Sequence, residues 1–380
     1  MSTLYDLAVL GSPTEEIVDA LVHEIEASVA PFGLKLNSDI GWNVRPAAFN
    51  PEEAKSAAVI FFGGADAPRA NIETLLSRGI PILPVVSELS KVQEEIPNIL
   101  RPLNCLAYDT AGPSRTATAL LECVGLLPRQ RRVFLSYRRD EARDAALQLF
   151  DALSARLFDV FLDTHGVAPG EDFQSLLWHR LCDSDVLLML DTPNYFASRW
   201  TSAEYGRALA KGISVLRVGW PQSRLSPRTA TASQVNLESG EIDNASGRLV
   251  DAALSRICTH LEGVRSQSLA VRNLNLVSNI RGSVERIGGS VEGVGRHRAI
   301  YVRLADGRAV VIYPTVGVPT SVTLHEAATR SPSGSVAVVY DHVGLHPSWQ
   351  GHLDWLGKEI RSPRWIRACE VAWQFADWGK

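Results

Sequence analysis

Hydrophobic positions along the chain fall into two alternating patterns. Short, nearly unbroken apolar runs are separated by segments in which apolar residues recur every third or fourth position. The runs predict strands at residues 4–10, 34–36, 57–62, 80–86, 133–137, 158–162, 185–190 and 213–218. Between them, Ile17, Val18, Leu21, Ile25 and Val29 share one helical face, as do Ala145, Ala146, Leu149 and Leu153. A further helix is predicted from about residue 70 to 77. Continuous apolar strands separated by amphipathic helices predict parallel sheets covered on both faces, an α/β architecture.

The pattern changes after residue 220. Residues 221–246 are rich in Ser, Thr and Pro and read as a loop or insertion. A helix over 249–264 carries Leu249, Ala252, Ala253, Ile257 and Leu261 on one face, and a second over 269–287 carries Leu276, Ile280, Val284 and Ile287. Residues 299–304 and 308–313 alternate around Ala305, Asp306 and Gly307, which predicts a hairpin. A short helix (318–330) and a strand (335–340) follow, and Trp365, Ile366, Cys369 and Trp373 keep helical spacing near the end. At ~100–200 residues per domain, the chain predicts two or three domains. The boundaries expected are 1–128, 129–265 and 266–380.

The first two α/β stretches read as a degenerate internal repeat. Ser77-Arg78-Gly79-Ile80-Pro81-Ile82-Leu83 resembles Ala210-Lys211-Gly212-Ile213-Ser214-Val215-Leu216. Anchored on Gly79 and Gly212, the alignment pairs Asn71 with Glu204 and Ala67 with Trp200. Gly63-Gly64 after an apolar run could line a nucleotide pocket, but the full dinucleotide fingerprint is missing.

Composition narrows the function classes. The formal net charge is -4, with 21% charged residues and no long run of either sign, so neither nucleic acid nor a membrane surface is an expected partner. The cluster Arg129, Arg131 and Arg132 reads as a solvated linker. The start of the chain lacks the basic region and cleavage site of a signal peptide, and no apolar run approaches the ~18 residues of a membrane span. The five cysteines, Cys105, Cys123, Cys182, Cys258 and Cys369, are scattered without paired spacing, which predicts reduced thiols in a cytoplasmic protein. His342, His346 and His352, with Asp341 and Asp354, match no zinc spacing, and no metal is expected.

Three separated motifs then carry a family resemblance: Phe134-Leu135-Ser136-Tyr137-Arg138-Arg139 on the first strand of the second stretch, Phe161-Leu162-Asp163 leading to Pro169-Gly170, and Trp200-Thr201-Ser202-Ala203-Glu204. Residues 131–262 resemble a TIR (Toll/interleukin-1 receptor) domain. The resemblance implies a central flavodoxin-like TIR domain. It would be preceded by a second doubly wound unit, either TIR-like and catalytically silent or Rossmann-like, and followed by a small α/β module.

The resemblance further implies NAD+ as substrate, with no cofactor. In enzymatic TIR domains the family's Glu at the place of Glu204 is catalytic. A carboxylate suits this chemistry, because nicotinamide leaves without protonation and the ribosyl centre left behind is cationic. Trp200, four residues before Glu204, faces the same way and offers a plane for a base or pyridinium ring. Ser136, Tyr137 and Arg138 border the nucleotide at the strand's end, where Arg138 suits a diphosphate; Tyr137 reads equally as a core residue. Asp163, Gly166, Pro169 and Gly170 belong to the family's BB loop, which packs on a neighbouring TIR domain. The expected activity is therefore that of an NAD+ glycohydrolase yielding nicotinamide and ADP-ribose or a cyclic variant. Self-assembly would activate it, as in bacterial anti-phage effectors, with a nucleotide signal or protein trigger acting through the flanking domains. The alternatives are a non-catalytic TIR adaptor, a nucleotide-signal sensor, or a Glu204 that is only a solvated acid near a helix start. Trp178 and Leu177 read as core anchors.

Overall fold

The apolar runs pair side by side into sheets. The computed structural model describes residues 3–64, 71–162, 173–243, 245–331, 334–360 and 362–378. The chain divides into two units, Met1–Arg129 and Gln130–Lys380.

The first unit runs β1 (Tyr5–Gly11), α1 (Glu15–Val29), β2 (Ile40–Val44), β3 (Ser56–Phe62), α2 (Ile72–Ser77), β4 (Ile82–Val86), α3 (Val92–Glu95), β5 (Leu106–Ala107) and α4 (Tyr108–Cys123). Its five strands are parallel, in the order β2-β1-β3-β4-β5. Thr14 starts α1 by accepting the Ile17 amide hydrogen on its hydroxyl at 3.3 Å.

The second unit opens with β6 (Arg132–Ser136), α5 (Arg139–Ser154), β7 (Asp159–Leu162), α6 (Phe173–Asp183), β8 (Val186–Asp191), α7 (Arg199–Ala210), β9 (Ser214–Gly219), β10 (Ser233–Asn236) and α8 (Asp251–Arg286). Its parallel order, β7-β6-β8-β9-β10, repeats that of the first unit: second, first, third, fourth, fifth. This is a doubly wound order, with ligands expected outside the carboxyl ends of the strands. The two units also share a helix stop. Gly79 and Gly212 both take left-handed φ, +68° and +67°, after α2 and α7. The next residue, Ile80 or Ile213, then donates back to the carbonyl of Leu75 or Ala208, at 3.0 and 2.9 Å. Gly63 lies against Glu95, where an added Cβ would come within 2.8 Å of its Cβ; this glycine lets α3 approach.

A third sheet follows, with β11 (Ser290–Val294), β12 (Ile300–Arg303), β13 (Ala309–Thr315), α9 (Ser321–Arg330), β14 (Ser335–Tyr340), α10 (Pro347–Glu359), β15 (Arg364–Arg367) and α11 (Val371–Ala376). The order is β11-β12-β13-β14-β15, antiparallel over the first three strands and parallel over the last three. The hairpin expected around Asp306 is the β12–β13 pair. The molecule is thus α/β, with two parallel sheets and one mixed sheet.

Five expectations are corrected. The segment 34–36 is not a strand; the strand is β2, an edge strand with only Ile40 buried, so it carries no apolar run. The same reason hides β10 within the Ser-, Thr- and Pro-rich stretch. Trp365 and Ile366 are not helical: they lie on β15, paired with Val338 and Val339 of β14.

The two helices expected over 249–264 and 269–287 are one, α8. The apolar pattern breaks at Arg265, Ser266 and Ser268 because these polar residues are themselves buried. Ser268 Oγ accepts the amide hydrogen of Ser214 at 3.0 Å, and Arg265 Nε meets Asp185 at 2.8 Å. The first half of α8 packs Ala253, Ile257, Leu261 and Val264 on the β6–β10 sheet. The second half packs Leu276, Ile280 and Val284 on the mixed sheet.

Finally, Arg131 and Arg132 are not a solvated linker. Arg131 is 2% exposed, pairs with Glu262 and lies 4.1 Å from the Phe158 ring centre, while Arg132 pairs with Asp183 at 2.6 Å. Among the described residues, no helix is long and apolar enough to cross a membrane.

Candidate active site

Strand alternation sorts the end of β6 into two faces. Val133, Leu135 and Tyr137 enter the core shared with α5 and α8, whereas Phe134 enters the core shared with α6 and α7. Ser136 is therefore directed to the α7 side, where Glu204 lies one turn and a half into its helix. Tyr137 is 5% exposed within the opposite core, away from Ser136, where it packs as a core residue.

The Ser136 hydroxyl donates to the Glu204 carboxylate. It also stands 2.6 Å from the Tyr195 hydroxyl. Burial, and then the charge of Glu204, push the Tyr195 phenol well above its ordinary value, so it stays protonated. With the Ser136 proton given to Glu204, the Tyr195 proton goes to Ser136. The chain of donors runs Tyr195 to Ser136 to Glu204, with both protons directed toward the carboxylate. Glu204 is 5% exposed, which removes the reading of a solvated surface acid.

Local sequence builds this arrangement. Ser198 caps α7 by accepting the Trp200 amide hydrogen at 3.2 Å. Thr201 donates its hydroxyl to the carbonyl of Tyr195, tying the helix start to the short helical turn Tyr195–Ala197. Tyr195 is fully buried, a contributor that periodicity did not single out; its only signal is an aromatic placed just after the turn that ends β8.

Trp200 is 40% exposed at the rim, with the Arg199 guanidinium 4.7 Å from its ring centre. Arg138 also lies at the rim. It donates to the Asn194 carbonyl at 3.0 Å and approaches Asp140 and Glu141 at 3.9 and 3.8 Å. Asn194 in turn donates from its side chain to Glu141 at 2.6 Å. Burial would raise the Glu141 carboxyl, but hydrogen bonds from the Asn194 side chain and backbone help hold it below the usual range.

A second buried pair stands beside the site. Ser136, Met189 and Arg217 are in register across β6, β8 and β9 and so share a face. Arg217 Nε meets Asp191 at 2.5 Å, and its Nη1 donates to the Asn236 side chain at 2.9 Å. Gly219 leaves room here for the guanidinium, since a Cβ would come within 2.4 Å of Arg217 Nη1. The sequence signal was a lone arginine inside an apolar strand.

Asp163, Gly166, Pro169 and Gly170 lie outside the described residues, as does Ala67 of the repeat alignment. Asn71, paired with Glu204 in that alignment, is committed to structure: it bonds both the amide and the carbonyl of Phe49, at 3.1 and 2.8 Å. Trp178 is a core residue, 7% exposed, under the Arg207 guanidinium at 3.8 Å.

Comparison with known proteins adds three findings. The TIR domain family matches residues 133–250, less than half of the chain. No curated protein matches. Among solved structures, the TIR domains of the activated Roq1 resistosome, which directly recognises the pathogen effector XopQ, share 17% identity over 37% of this chain and 83% of that chain, with a TM-score of 0.24. Tagatose-6-phosphate ketose/aldose isomerase from Escherichia coli shares 14% identity over 70% of this chain and 82% of its own, with a TM-score of 0.20. At scores this low, neither likeness bears on fold or function.

Proposed function

Because residues 133–250 are a TIR domain, we propose that this chain is an NAD+ glycohydrolase cleaving the bond between nicotinamide and ribose. The observation that carries the reading is the Glu204 carboxylate, held by the Ser136 hydroxyl beside the carboxyl end of β6. A carboxylate there has the right charge for the reaction. The C1′–N bond breaks, and its electron pair leaves with nicotinamide, which becomes neutral. Positive charge develops on the ribosyl C1′ and ring oxygen, where a carboxylate stabilises it. Water then adds to C1′ and releases a proton, giving ADP-ribose; attack by an adenine nitrogen instead gives a cyclic form. In this reading Trp200 flanks the base or pyridinium ring, and Arg138 meets the diphosphate after letting go of the Asn194 carbonyl.

Self-association through TIR domains, and an anti-phage setting in which NAD+ depletion stops the cell, belong to the same proposal and rest on the family resemblance. The experiment is nicotinamide release by the full chain and by Glu204→Gln, each incubated with NAD+ over a wide range of protein concentration. Release that steepens with concentration and vanishes in Glu204→Gln supports an assembly-dependent enzyme. Equal release by both proteins removes Glu204 from the mechanism.

The burial of Glu204 favours one rival. In a non-catalytic adaptor, the Tyr195–Ser136–Glu204 chain would serve only to seat α7 on the sheet. That reading predicts self-association without nicotinamide release at any concentration.

A further inference from the structure

At the far end of α7 from the site, the second unit holds a cavity of about 410 Å³. Its walls come from Lys211, which follows α7, from one face of α8, and from the loops after β13 and β14. A volume of this order suits a small-molecule ligand.

The lining is part polar and part apolar, and its charged groups carry excess positive charge. Lys211, Arg272 and Arg286 face a single carboxylate, Asp341, and that carboxylate is already paired with Lys211. Arg272 is half-buried and donates only to neutral carbonyls, those of Ser184 at 2.8 Å and Cys182 at 3.1 Å. The nearby carboxylates are committed to other cations: Asp183 to Arg132 at 2.6 Å and Asp185 to Arg265 at 2.8 Å. Among the described residues, Arg272 therefore has no carboxylate partner of its own. A half-buried cation in that state favours an anion.

Arg286 uses Nε and Nη2 on the Gly282 carbonyl and the Ser283 hydroxyl, at 3.1 and 2.9 Å, which leaves its Nη1 hydrogens for a ligand. Between the two arginines on the same face stand Asn275 and Asn279, one turn apart. Among the described residues neither carboxamide has a hydrogen-bond partner. Each offers a donor and an acceptor, the pairing that the edge of a heterocyclic base requires.

We propose that this cavity binds a phosphorylated small molecule of mononucleotide size, with its phosphate toward the arginines and its base edge toward Asn275 and Asn279. The site lies between the TIR sheet and the mixed sheet, and the proposal stands whether or not the chain turns over NAD+.

Calorimetric titration of the full chain with AMP, inorganic phosphate and adenosine tests it. AMP is expected to bind, phosphate more weakly, and adenosine most weakly of the three. Arg286→Glu should lower AMP affinity by about tenfold or more, since it replaces a charge-assisted contact by a repulsive one. Arg286 and both asparagines are exposed, so ligand-free thermal midpoints should be unchanged. The double variant Asn275→Ala/Asn279→Ala should weaken AMP and leave phosphate unaffected. Glu204→Gln should bind AMP as the wild type does. No binding of AMP or phosphate at millimolar concentration overturns the proposal, as does AMP binding that Arg286→Glu leaves intact. So does AMP binding lost in Glu204→Gln and kept in Arg286→Glu, which would put it at the TIR site.

Discussion

Ser136 and Glu204, 68 residues apart in the chain, meet where β6 ends and α7 passes over it, the serine hydroxyl donating to the carboxylate. Behind the serine, Tyr195 supplies the next proton at 2.6 Å. The carboxylate is thereby fixed in orientation before any ligand arrives, and each prediction for the site follows from that.

Glu204→Gln keeps the shape of the side chain and removes its charge. Nicotinamide release should fall by at least about a hundredfold, in keeping with the loss of one group aimed at developing charge. Because Glu204 is buried, its effect on stability will exceed that of a surface substitution, reaching about 1–2 kcal/mol in either direction. Urea unfolding of the two proteins, alongside the rate measurement, separates the two effects.

Ser136→Ala removes the donor between Tyr195 and Glu204. The carboxylate stays but loses its anchor, so the turnover rate should drop by about tenfold, with a stability loss of about 1 kcal/mol. Unchanged turnover in Ser136→Ala would show that the hydrogen bond does not position Glu204 for catalysis.

Trp200→Ala touches only the rim. Its stability should stay within about 0.5 kcal/mol of the wild type. If the indole flanks the ring of NAD+, the variant raises KM more than it lowers kcat; equal KM values would place the ring elsewhere.

Arg265 is fully buried against Asp185 and also donates to the Gln130 carbonyl at 2.9 Å. Arg265→Ala leaves Asp185 buried without that cation, at a cost of about 3–5 kcal/mol. Arg265→Met, with similar volume, still strands the carboxylate and should be destabilised as well. The double variant Arg265→Met/Asp185→Leu, which removes both charges, should recover much of the loss in thermal unfolding.

Acid should weaken the second unit through His179. Burial, and then the neighbouring His346, lower its pKa to about 4 from an ordinary 6.5. Its Nδ1 accepts the backbone hydrogen of His346 at 3.1 Å, which requires the neutral ring. Between pH 6.5 and about 4 the unfolded chain binds the proton that the folded chain refuses. The stability contribution is full above pH 6.5 and is lost as pH falls toward 4. His179→Asn retains an acceptor without a titrating ring, so its thermal midpoint should fall less than that of the wild type over this window. Parallel curves would assign the acid sensitivity to other groups.

The likeness between the Gly79 and Gly212 segments is visible in the sequence. The shared Gly79 and Gly212 segments are local stop signals, and the structure gives both the same left-handed backbone and the same strand order around them. What the alignment did not disclose is that Asn71 spends its side chain on the Phe49 backbone.

Local pattern sufficed wherever a segment's own residues settle its state. The apolar strands of both parallel sheets, the β12–β13 turn, the caps of α1 and α7, and Glu204 with Trp200 on one helix face are of this kind, because periodicity and capping act over a few neighbouring residues. Distant partners decided the rest. Edge strands β2 and β10 bury too little to show an apolar run. Trp365 became a strand residue because β14 offered an open edge. The polar break at Arg265, Ser266 and Ser268 did not end α8, since Asp185 and Ser214 from other elements satisfy the polar groups that the pattern alone would leave to solvent. The turn after β8 brings Tyr195 to Ser136, and the pleat of β6 puts Tyr137 in the opposite core, relations that exist only once the strands are paired.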